Sequence, residues 1–183
     1  MKNFIKSFRI TIAFCIFFSV FYILVLWIFA QFAGRGENGN AETVTLNGKV
    51  VGAANVGQMF TSDVYFWGRP SSAGDGYDAT ISAGSNKGPT NEKYLAEVEA
   101  RVDSFLVHHP YLSLDEVPAE MVTASGSGLD PNITPACAYV QVKRVAEARG
   151  MSEDEVKAIV DQAVEKPLLG MFGTAKVNVL KLN

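Results

Sequence analysis

Hydrophobic residues form one long run near the start of the chain and short, periodic stretches after it. The run extends from Ile10 to Ala33 and holds no charged residue. As a helix rising about 1.5 Å per residue, it would reach roughly 36 Å, which is enough to cross a hydrocarbon core of about 30 Å. Only a helix satisfies its own backbone amides there. The pattern therefore predicts a transmembrane helix at residues 10–33.

Two other interpretations of this run fit less well. A secretory signal peptide has an apolar core of about 7–15 residues followed by small residues at a cleavage site. Here the core is longer, and Gln31 and Phe32 precede Ala33. A buried soluble helix of this kind would be apolar on every side, and a chain of 183 residues could hardly enclose it. We therefore expect a permanent anchor.

The charges flanking the predicted helix indicate its orientation. Lys2, Lys6 and Arg9 precede it without any acidic residue, whereas basic and acidic residues are mixed after it. Because Lys and Arg near helix ends stay in the cytoplasm, we expect residues 1–9 to be cytoplasmic. Residues 34–183 should then lie outside, with the chain as a single-pass protein of the bacterial cytoplasmic (inner) membrane.

The pattern after the helix begins with a linker and a hairpin. Residues 34–42 are short, polar and rich in Gly and Asn, as is typical of a linker. Two Val-rich stretches then flank Asn47-Gly48, which predicts a β-hairpin with a two-residue turn. Residues 71–91 hold a long stretch rich in Gly, Ser, Pro and Asn. Loops of this length are usually functional or disordered.

Three amphipathic helices are predicted from apolar residues at helical spacing. The first begins near Thr90 or Asn91 and carries Leu95, Val98, Val102 and Leu106 on one stripe. The second begins at Thr134-Pro135, and the third begins at the capping box formed by Ser152 and Glu155. We expect the first to end before Pro110, the second to stop at Gly150, and the third to reach Val164. Residues 175–183 are predicted as a strand. The fold class is therefore one N-terminal transmembrane helix plus a single α+β extracytoplasmic domain, residues 43–183.

Charge and cysteine content narrow the function of this domain. Without Lys2, Lys6 and Arg9, 13 basic residues face 19 acidic ones, a net charge of about −6. This argues against nucleic acid or anionic lipid as a partner of the domain, because both would require a basic face. The span itself is expected to contact membrane lipid. Cys137 is the only cysteine outside the span, which excludes an internal disulfide. His108 and His109 lack a spaced third ligand, so we expect a surface pair and no metal site.

Two glycine-serine loops could carry chemistry. One spans residues 84–91 and the other residues 123–131. Amides at a helix start can bind an anion, but neither loop has a phosphate-binding or dinucleotide-binding pattern, so tight turns are the simpler interpretation. Ser125 and Ser127 suggest a nucleophile, yet they lack the G-x-S-x-G spacing.

A small, weakly polar stripe lies within the predicted span. Thr11, Cys15 and Ser19 follow each other at four-residue spacing and would share one helix face. Such residues let a neighbouring helix approach closely, but they are also tolerated anywhere on a single span. They are candidate subunit-docking residues.

Several sequence blocks occur together in one order. They are V-G-Q-M-F (56–60), Y-F-W-G-R-P-S (65–71), G-S-N-K-G-P-T-N (84–91), V-T-A-S-G-S-G-L-D (122–130), N-I-T-P (132–135), Q-V-K-R-V-A (141–146) and V-N-V-L (177–180). With the apolar N-terminal span, this series resembles the KdpC family, the C subunits of bacterial potassium-transporting P-type ATPases. The resemblance covers nearly the whole chain.

The resemblance implies an accessory, non-catalytic subunit needed for assembly and activity. Its partners would be a channel-like potassium-translocating subunit and an ATP-hydrolysing pump subunit. ATP and K⁺ would be used by the complex, with no cofactor held by this chain. Family-motif residues of unassigned role are Gln58, Arg69, Ser85, Asn86, Thr90, Asn91, Ser125, Ser127, Asp130, Gln141 and Arg144.

The implied role meets a constraint from the predicted topology. Members of such families are described as raising the ATP affinity of the pump subunit, but ATP hydrolysis is cytoplasmic and this domain is predicted outside. An effect on ATP would then be indirect. An acidic domain could instead shape the outer potassium entrance. The alternatives are a membrane-tethered extracytoplasmic enzyme and a ligand-binding module.

Overall fold

A computed structural model describes residues 2–33, 36 and 40–183. The chain divides into two units, Met1–Thr43 and Val44–Asn183. Most of the predicted linker, residues 34–42, lies outside the described residues.

The first unit is one long apolar helix. It comprises α1 (Lys2–Ile16), a π-helical segment (Phe17–Tyr22) and α2 (Ile23–Ala33). None of its described side chains is buried within the protein. It is long and apolar enough to cross a membrane, as predicted, although the helix begins earlier than residue 10.

The second unit opens with the predicted hairpin. Strands β1 (Thr43–Leu46) and β2 (Lys49–Ala53) form a two-stranded sheet. Both turn residues have positive φ, 51° at Asn47 and 78° at Gly48. This is the backbone that a type I′ turn requires and that the Asn-Gly pair favours.

A long segment without helix or strand, residues 54–91, leads into α3 (Glu92–His108). The Asn91 side chain accepts a hydrogen bond from the Tyr94 N–H at 3.0 Å and caps α3, close to the predicted start. Along the predicted apolar stripe, Leu95 is 50% exposed, whereas Val98, Val102 and Leu106 are partly buried. Only Phe105 of this helix is fully buried.

A small sheet and three helices form the core of the domain. Two short elements, a 3₁₀ turn (Leu114–Glu116) and α4 (Ala119–Val122), precede the sheet. The sheet holds β3 (Asn132–Ile133), β4 (Val164–Glu165) and β5 (Lys176–Asn178), in the order β3-β5-β4, and both pairings are antiparallel. The helices are α5 (Pro135–Tyr139), α6 (Val142–Arg149) and α7 (Glu153–Ala163).

The central strand and two helices contribute fully buried apolar side chains to the core. Val177 of β5 pairs with both Ile133 and Val164 and is fully buried. Val145 of α6 and Val160 of α7 are also fully buried. The predicted capping box of Ser152 and Glu155 is present at the start of α7. The α+β fold class is confirmed.

The helix predicted from Thr134 to Gly150 is interrupted at Val140 and Gln141. Gln141 Nε2 donates to the Cys137 carbonyl at 2.9 Å, so the side chain occupies the acceptor that its own backbone N–H would use in an α-helix. That N–H donates instead to Ala138, three residues back. A side-chain interaction therefore breaks the helix into α5 and α6.

The segment predicted as one strand, residues 175–183, is only partly extended. After β5 the chain forms a short helix, α8 (Val179–Leu182), because the Asn178 side chain accepts from the Lys181 N–H at 3.1 Å and caps it.

Candidate functional site

The Y-F-W-G-R-P-S block passes through the centre of the domain, where two amide side chains bind its backbone. At Trp67, the N–H donates to Gln141 Oε1 at 2.8 Å and the carbonyl accepts from Gln141 Nε2 at 3.2 Å. At Phe66, the N–H donates to Asn183 Oδ1 at 2.7 Å and the carbonyl accepts from Asn183 Nδ2 at 3.0 Å. Each amide acts as the neighbouring strand would in a sheet.

Arg144 is the second component of this centre, and its side chain is only 4% exposed. Its guanidinium donates to Gln141 Oε1 at 2.7 Å and to His109 Nε2 at 3.0 Å. It also donates to the carbonyls of Asp63 at 2.6 Å and Tyr65 at 3.0 Å. The charge is stabilised by these bonds and by the Trp67 ring, whose centroid lies 4.2 Å from Cζ. Burial still lowers the pKa of Arg144 to about 10.

His109 completes the centre, and its position corrects the prediction of a surface histidine pair. Its ring is fully buried and stacks on Phe105 at 3.9 Å between centroids. Nδ1 lies 2.7 Å from the Phe105 carbonyl and donates to it, because Nε2 must accept from Arg144. Burial is the main cause that lowers the pKa of His109 to about 4, so the ring is neutral at pH 7. The helix-end position suggested exposure, but the chain turns back over the ring after α3.

His108, in contrast, is partly exposed and faces the same segment. Its Nδ1 lies 2.8 Å from Asp63 Oδ1, and that carboxylate is also 3.6 Å from Arg144.

We refer to Trp67, His109, Gln141 and Arg144 as the central network.

The V-T-A-S-G-S-G-L-D block packs against the other side of the Y-F-W-G-R-P-S block. Ser71 Oγ donates to the Gly128 carbonyl at 2.6 Å and accepts from the Tyr77 N–H at 2.8 Å. Gly128 has φ of +69°, and a Cβ there would lie 2.6 Å from the Ala83 carbonyl oxygen. Glycine is therefore required both for the backbone conformation and for the close approach of the loops.

An ion pair joins the two blocks near the surface. Arg69 lies 3.6 Å from Asp130, and its guanidinium also donates to the Ala124 carbonyl at 3.3 Å. Both side chains are partly exposed, at 22% and 31%. Tyr77 donates to the Arg69 carbonyl at 2.6 Å, and burial raises the pKa of its hydroxyl to about 12.

Neither serine of this loop has the surroundings of a nucleophile in the part of the chain described. Ser125 is buried, and its Oγ accepts from the Gly128 N–H at 2.9 Å. Ser127 Oγ accepts from the Leu129 N–H at 3.1 Å. Both histidines are engaged elsewhere, with Asp63 and with Arg144. These contacts are those of tight turns, and they favour the structural interpretation over a hydrolase.

The remaining predicted residues lie outside the central network. Gln58 Nε2 donates to the Val51 carbonyl at 3.0 Å and supports the hairpin. Asn91 caps α3, and Thr90 next to it is exposed. Ser85 is partly exposed, and Asn86 is exposed with φ of 50°. The structure thus brings together Gln141 with Arg144 and Arg69 with Asp130.

The stripe predicted in the span is crossed by a change of helix type. Thr11 and Cys15 lie in α1, whereas Ser19 lies in the π-helical segment Phe17–Tyr22. There the hydrogen bonds run from residue i to i+5, so the rotation per residue is smaller than in an α-helix.

A cleft of about 430 Å³ lies beside the Y-F-W-G-R-P-S block. Its lining includes Trp67, Arg69, Tyr77, Arg101 and His108. Among the described residues, no group of three or more His, Cys, Asp or Glu side chains is placed to hold a metal ion.

Sequence reasoning missed the roles of Trp67, His109 and Asn183. A signal was present for part of the network, because Cys137, Gln141 and Val145 follow at four-residue spacing, with Arg144 adjacent to that face. Polar residues within an apolar stripe indicate a buried polar interaction. The partners on residues 63–67 carry no such signal.

Together, the long apolar helix and the α+β domain define a membrane-anchored protein with one candidate span. The family model described as KdpC, K⁺-transporting ATPase c chain, matches residues 4–183. A potassium-transporting ATPase KdpC subunit from Phocaeicola vulgatus is 81% identical over 183 residues, covering 100% of this chain and 96% of the relative. Its counterpart from Bacteroides thetaiotaomicron is 76% identical, with coverage of 100% and 96%. The protein of that name from Caldanaerobacter subterraneus is 40% identical over 178 residues, covering 97% and 91%. This chain belongs to the KdpC family.

Proposed function

We propose that this chain is the accessory subunit of a potassium-transporting ATPase and contributes no catalytic group of its own. The match to the family over residues 4–183 is the observation that carries this function. The contacts of Ser125 and Ser127 agree with it, since both serines stabilise turns. An enzyme of the domain's own is not favoured.

The partners proposed are a channel-like subunit that translocates potassium and a pump subunit that hydrolyses ATP. The test is to express all subunits with and without this chain and to measure potassium-stimulated ATP hydrolysis in the purified complex. We expect little or no stimulated activity and poor recovery of the complex without the chain. Full activity in its absence would contradict the proposal.

The span is proposed to provide part of the docking surface through Thr11, Cys15 and Ser19. Small residues allow close helix packing, so Thr11→Leu or Cys15→Leu should reduce co-purification of the partner subunits. Ala13→Leu is the matched control, because it enlarges a small residue on another face of α1. Equal recovery of all three variants would exclude this face.

The orientation proposed places residues 1–9 in the cytoplasm and the α+β domain outside the inner membrane. The basic residues Lys2, Lys6 and Arg9 support it. A cysteine introduced at Asp75, which is exposed, should react with a membrane-impermeant thiol reagent in intact spheroplasts. Labelling only after lysis would show the opposite orientation, with the α+β domain in the cytoplasm.

With this orientation, any effect on ATP affinity must pass through the other subunits, because the domain and the nucleotide are on opposite sides of the membrane. The central network supports a positioning role: its Gln141 holds the backbone of Trp67, and Asn183 holds that of Phe66 in the same way. A domain that is rigid around these blocks can present a constant surface to its partner.

A second role is favoured by the charge of the domain, about −6. Near the outer entrance of a cation pathway, this charge would raise the local potassium concentration. Neutralising exposed carboxylates that make no capping bond, such as Glu153 and Asp154 of α7, should raise the half-saturating potassium concentration at low ionic strength. An unchanged value would argue against this role.

A further inference from the structure

The hairpin between β4 and β5 ends in a tip that exposes apolar side chains. Its backbone is closed by hydrogen bonds within the tip: Leu168 and Phe172 pair in both directions, at 2.9 and 3.0 Å, and Gly170 N–H donates to the Pro167 carbonyl at 3.0 Å. Leu169 and Gly170 form the turn with positive φ, 54° and 72°. The tip, residues 167–173, is therefore an ordered structure supported by the sheet.

The tip displays its apolar side chains to the outside. Their exposed fractions are 69% for Leu168, 78% for Leu169, 74% for Met171 and 61% for Phe172. The exposed large apolar side chains of the N-terminal helix have comparable values, from 43% at Ile28 to 85% at Phe32, and in a membrane lipid would cover them. None of the apolar side chains at the tip belongs to the core of the domain.

Charge distinguishes the tip from the rest of the domain. Residues 166–175 contain one charged residue, Lys166, whereas the domain as a whole carries about −6. An anionic bilayer repels the acidic remainder and attracts this segment. Apolar residues with a lysine beside them are the combination found in segments that lie in the membrane interface.

Because the anchor and the tip belong to one chain, binding of the tip to the bilayer is effectively intramolecular. Since the chain is already fixed to the membrane by α1 and α2, a second contact forms at a high effective concentration and needs little affinity of its own. An uncovered protein-docking surface would be expected to include polar or charged side chains around its apolar centre, and residues 167–173 contain none.

We propose that the tip is a second, reversible membrane contact: Leu168, Leu169, Met171 and Phe172 insert into the headgroup region, with Lys166 at the level of the lipid phosphates. The tip would hold the domain against the bilayer in a fixed orientation. This inference uses the span and the hairpin alone, so it stands or falls separately from the proposed subunit function.

The test places an environment-sensitive fluorophore on the tip of the full-length chain. Met171→Cys is labelled in a Cys15→Ala background, and the remaining Cys137 is buried and unreactive, with burial raising its pKa to about 12. The labelled chain is reconstituted into vesicles of phosphatidylcholine, with or without phosphatidylglycerol, containing lipids that carry a quencher. We expect blue-shifted emission and quenching by the lipid-borne group.

Two variants and a matched control decide the outcome. Leu169→Asp should lower the ratio of inserted to withdrawn tip by about tenfold or more. Lys166→Gln should lower it by about fivefold, only with phosphatidylglycerol present. Leu114→Asp makes the same change at a residue 68% exposed elsewhere in the domain and should leave it unaltered.

Three results would overturn the proposal. The first is water-like emission in both kinds of vesicle. The second is an equal response to Leu169→Asp and Leu114→Asp. The third is a blue shift that appears only when the other subunits are co-reconstituted and that lipid-borne quenchers do not reach, which would assign the tip to a protein partner. If Lys166→Gln leaves the ratio of inserted to withdrawn tip unchanged in vesicles with phosphatidylglycerol, contact between Lys166 and the lipid phosphates is excluded.

Discussion

The centre of the domain and the tip at residues 167–173 distribute polar and apolar groups in opposite ways. At the centre, Arg144, Gln141 and His109 are almost completely buried among apolar side chains. At the tip, apolar side chains such as Leu169 and Met171 are more than 70% exposed. Buried polar groups are tolerated in a domain when they are hydrogen-bonded, whereas an exposed apolar cluster is unusual for a soluble domain acting alone.

The two regions differ in whether the chain itself supplies contacts for their buried polar or exposed apolar side chains. The central polar groups find their partners within the domain, so removing one leaves others unpaired at a high cost. The backbone of the tip is hydrogen-bonded within the tip, but its apolar side chains are not part of the core formed by the described residues. The centre should therefore determine stability, and the tip should determine what the domain contacts.

The largest effect should come from removing the charge at the centre. Arg144→Met leaves His109 Nε2 and the carbonyls of Asp63 and Tyr65 without their donor. It also removes one of the two hydrogen bonds to Gln141 Oε1, which keeps the one from the Trp67 N–H. The variant should lower the free energy of unfolding by about 4 kcal/mol. Urea unfolding of the full-length chain in detergent, followed by tryptophan fluorescence, measures this change. Lys157→Met on the exposed face of α7 is the control and should change it by less than about 0.5 kcal/mol. A loss below about 1 kcal/mol for Arg144→Met would contradict the importance of the network.

The next effect is a pH dependence caused by His109. Its pKa is about 4 in the folded protein and about 6.5 in the unfolded chain, so the unfolded state binds more protons between these values. The free energy of unfolding should therefore fall as the pH is lowered from about 6.5 to 4, by up to about 3 kcal/mol. Neighbouring charges from Arg144 and His108 oppose protonation further.

The contribution of His109 is isolated with a neutral replacement. His109→Asn retains one donor and one acceptor but does not titrate, so its unfolding free energy should vary less with pH than that of the native chain. Parallel pH profiles for the two proteins would show that the dependence comes from the carboxylates alone.

Loss of the amide that binds Trp67 should cost less. Gln141→Leu leaves the N–H and carbonyl of Trp67 without their partner, and we expect about 2 kcal/mol of destabilisation. Gln58→Leu is the matched control, because the Gln58 amide makes a single exposed hydrogen bond to Val51. Equal losses for the two glutamines in the same urea titration would mean that burial does not set the cost.

The smallest effect on stability is expected at the tip. Leu169→Ser and Phe172→Ser remove apolar surface that is not buried in the domain, so the free energy of unfolding should change by less than about 0.5 kcal/mol. The same two variants should still weaken attachment of the domain to vesicles. A loss above about 1.5 kcal/mol in the urea titration would show that the tip packs against the domain. It would contradict the contrast drawn between the tip and the centre.

The sequence predicted the features that depend on local rules. The apolar run at residues 10–33, the Asn47-Gly48 turn and the Ser152/Glu155 capping box each follow from neighbouring residues, and each is present. The capped start of α3 at Asn91 belongs to the same class. Helix and turn signals of this kind act over a few residues, so one sequence contains them in full.

The errors occurred where distant residues override local preference. The helix from Thr134 is interrupted where the Gln141 side chain bonds to the Cys137 carbonyl while it also binds Trp67, 74 residues away. His109 was expected at the surface because its neighbours indicate a helix end, but Arg144 and Phe105 enclose it. For the candidate site, Gln141 and Arg144 were chosen through a family resemblance, and their buried geometry required the fold.

The bond between Phe66 and Asn183 also has a kinetic consequence. The two residues are 117 positions apart, so this contact raises the contact order of the domain and slows its folding. At a synthesis rate of about 10 residues per second, Phe66 is made roughly 10 s before Asn183. During that interval the Y-F-W-G-R-P-S block lacks at least one of its two amide partners, and it lacks both until Gln141 has been made. The domain can therefore complete its core only after nearly all of the chain has been synthesised.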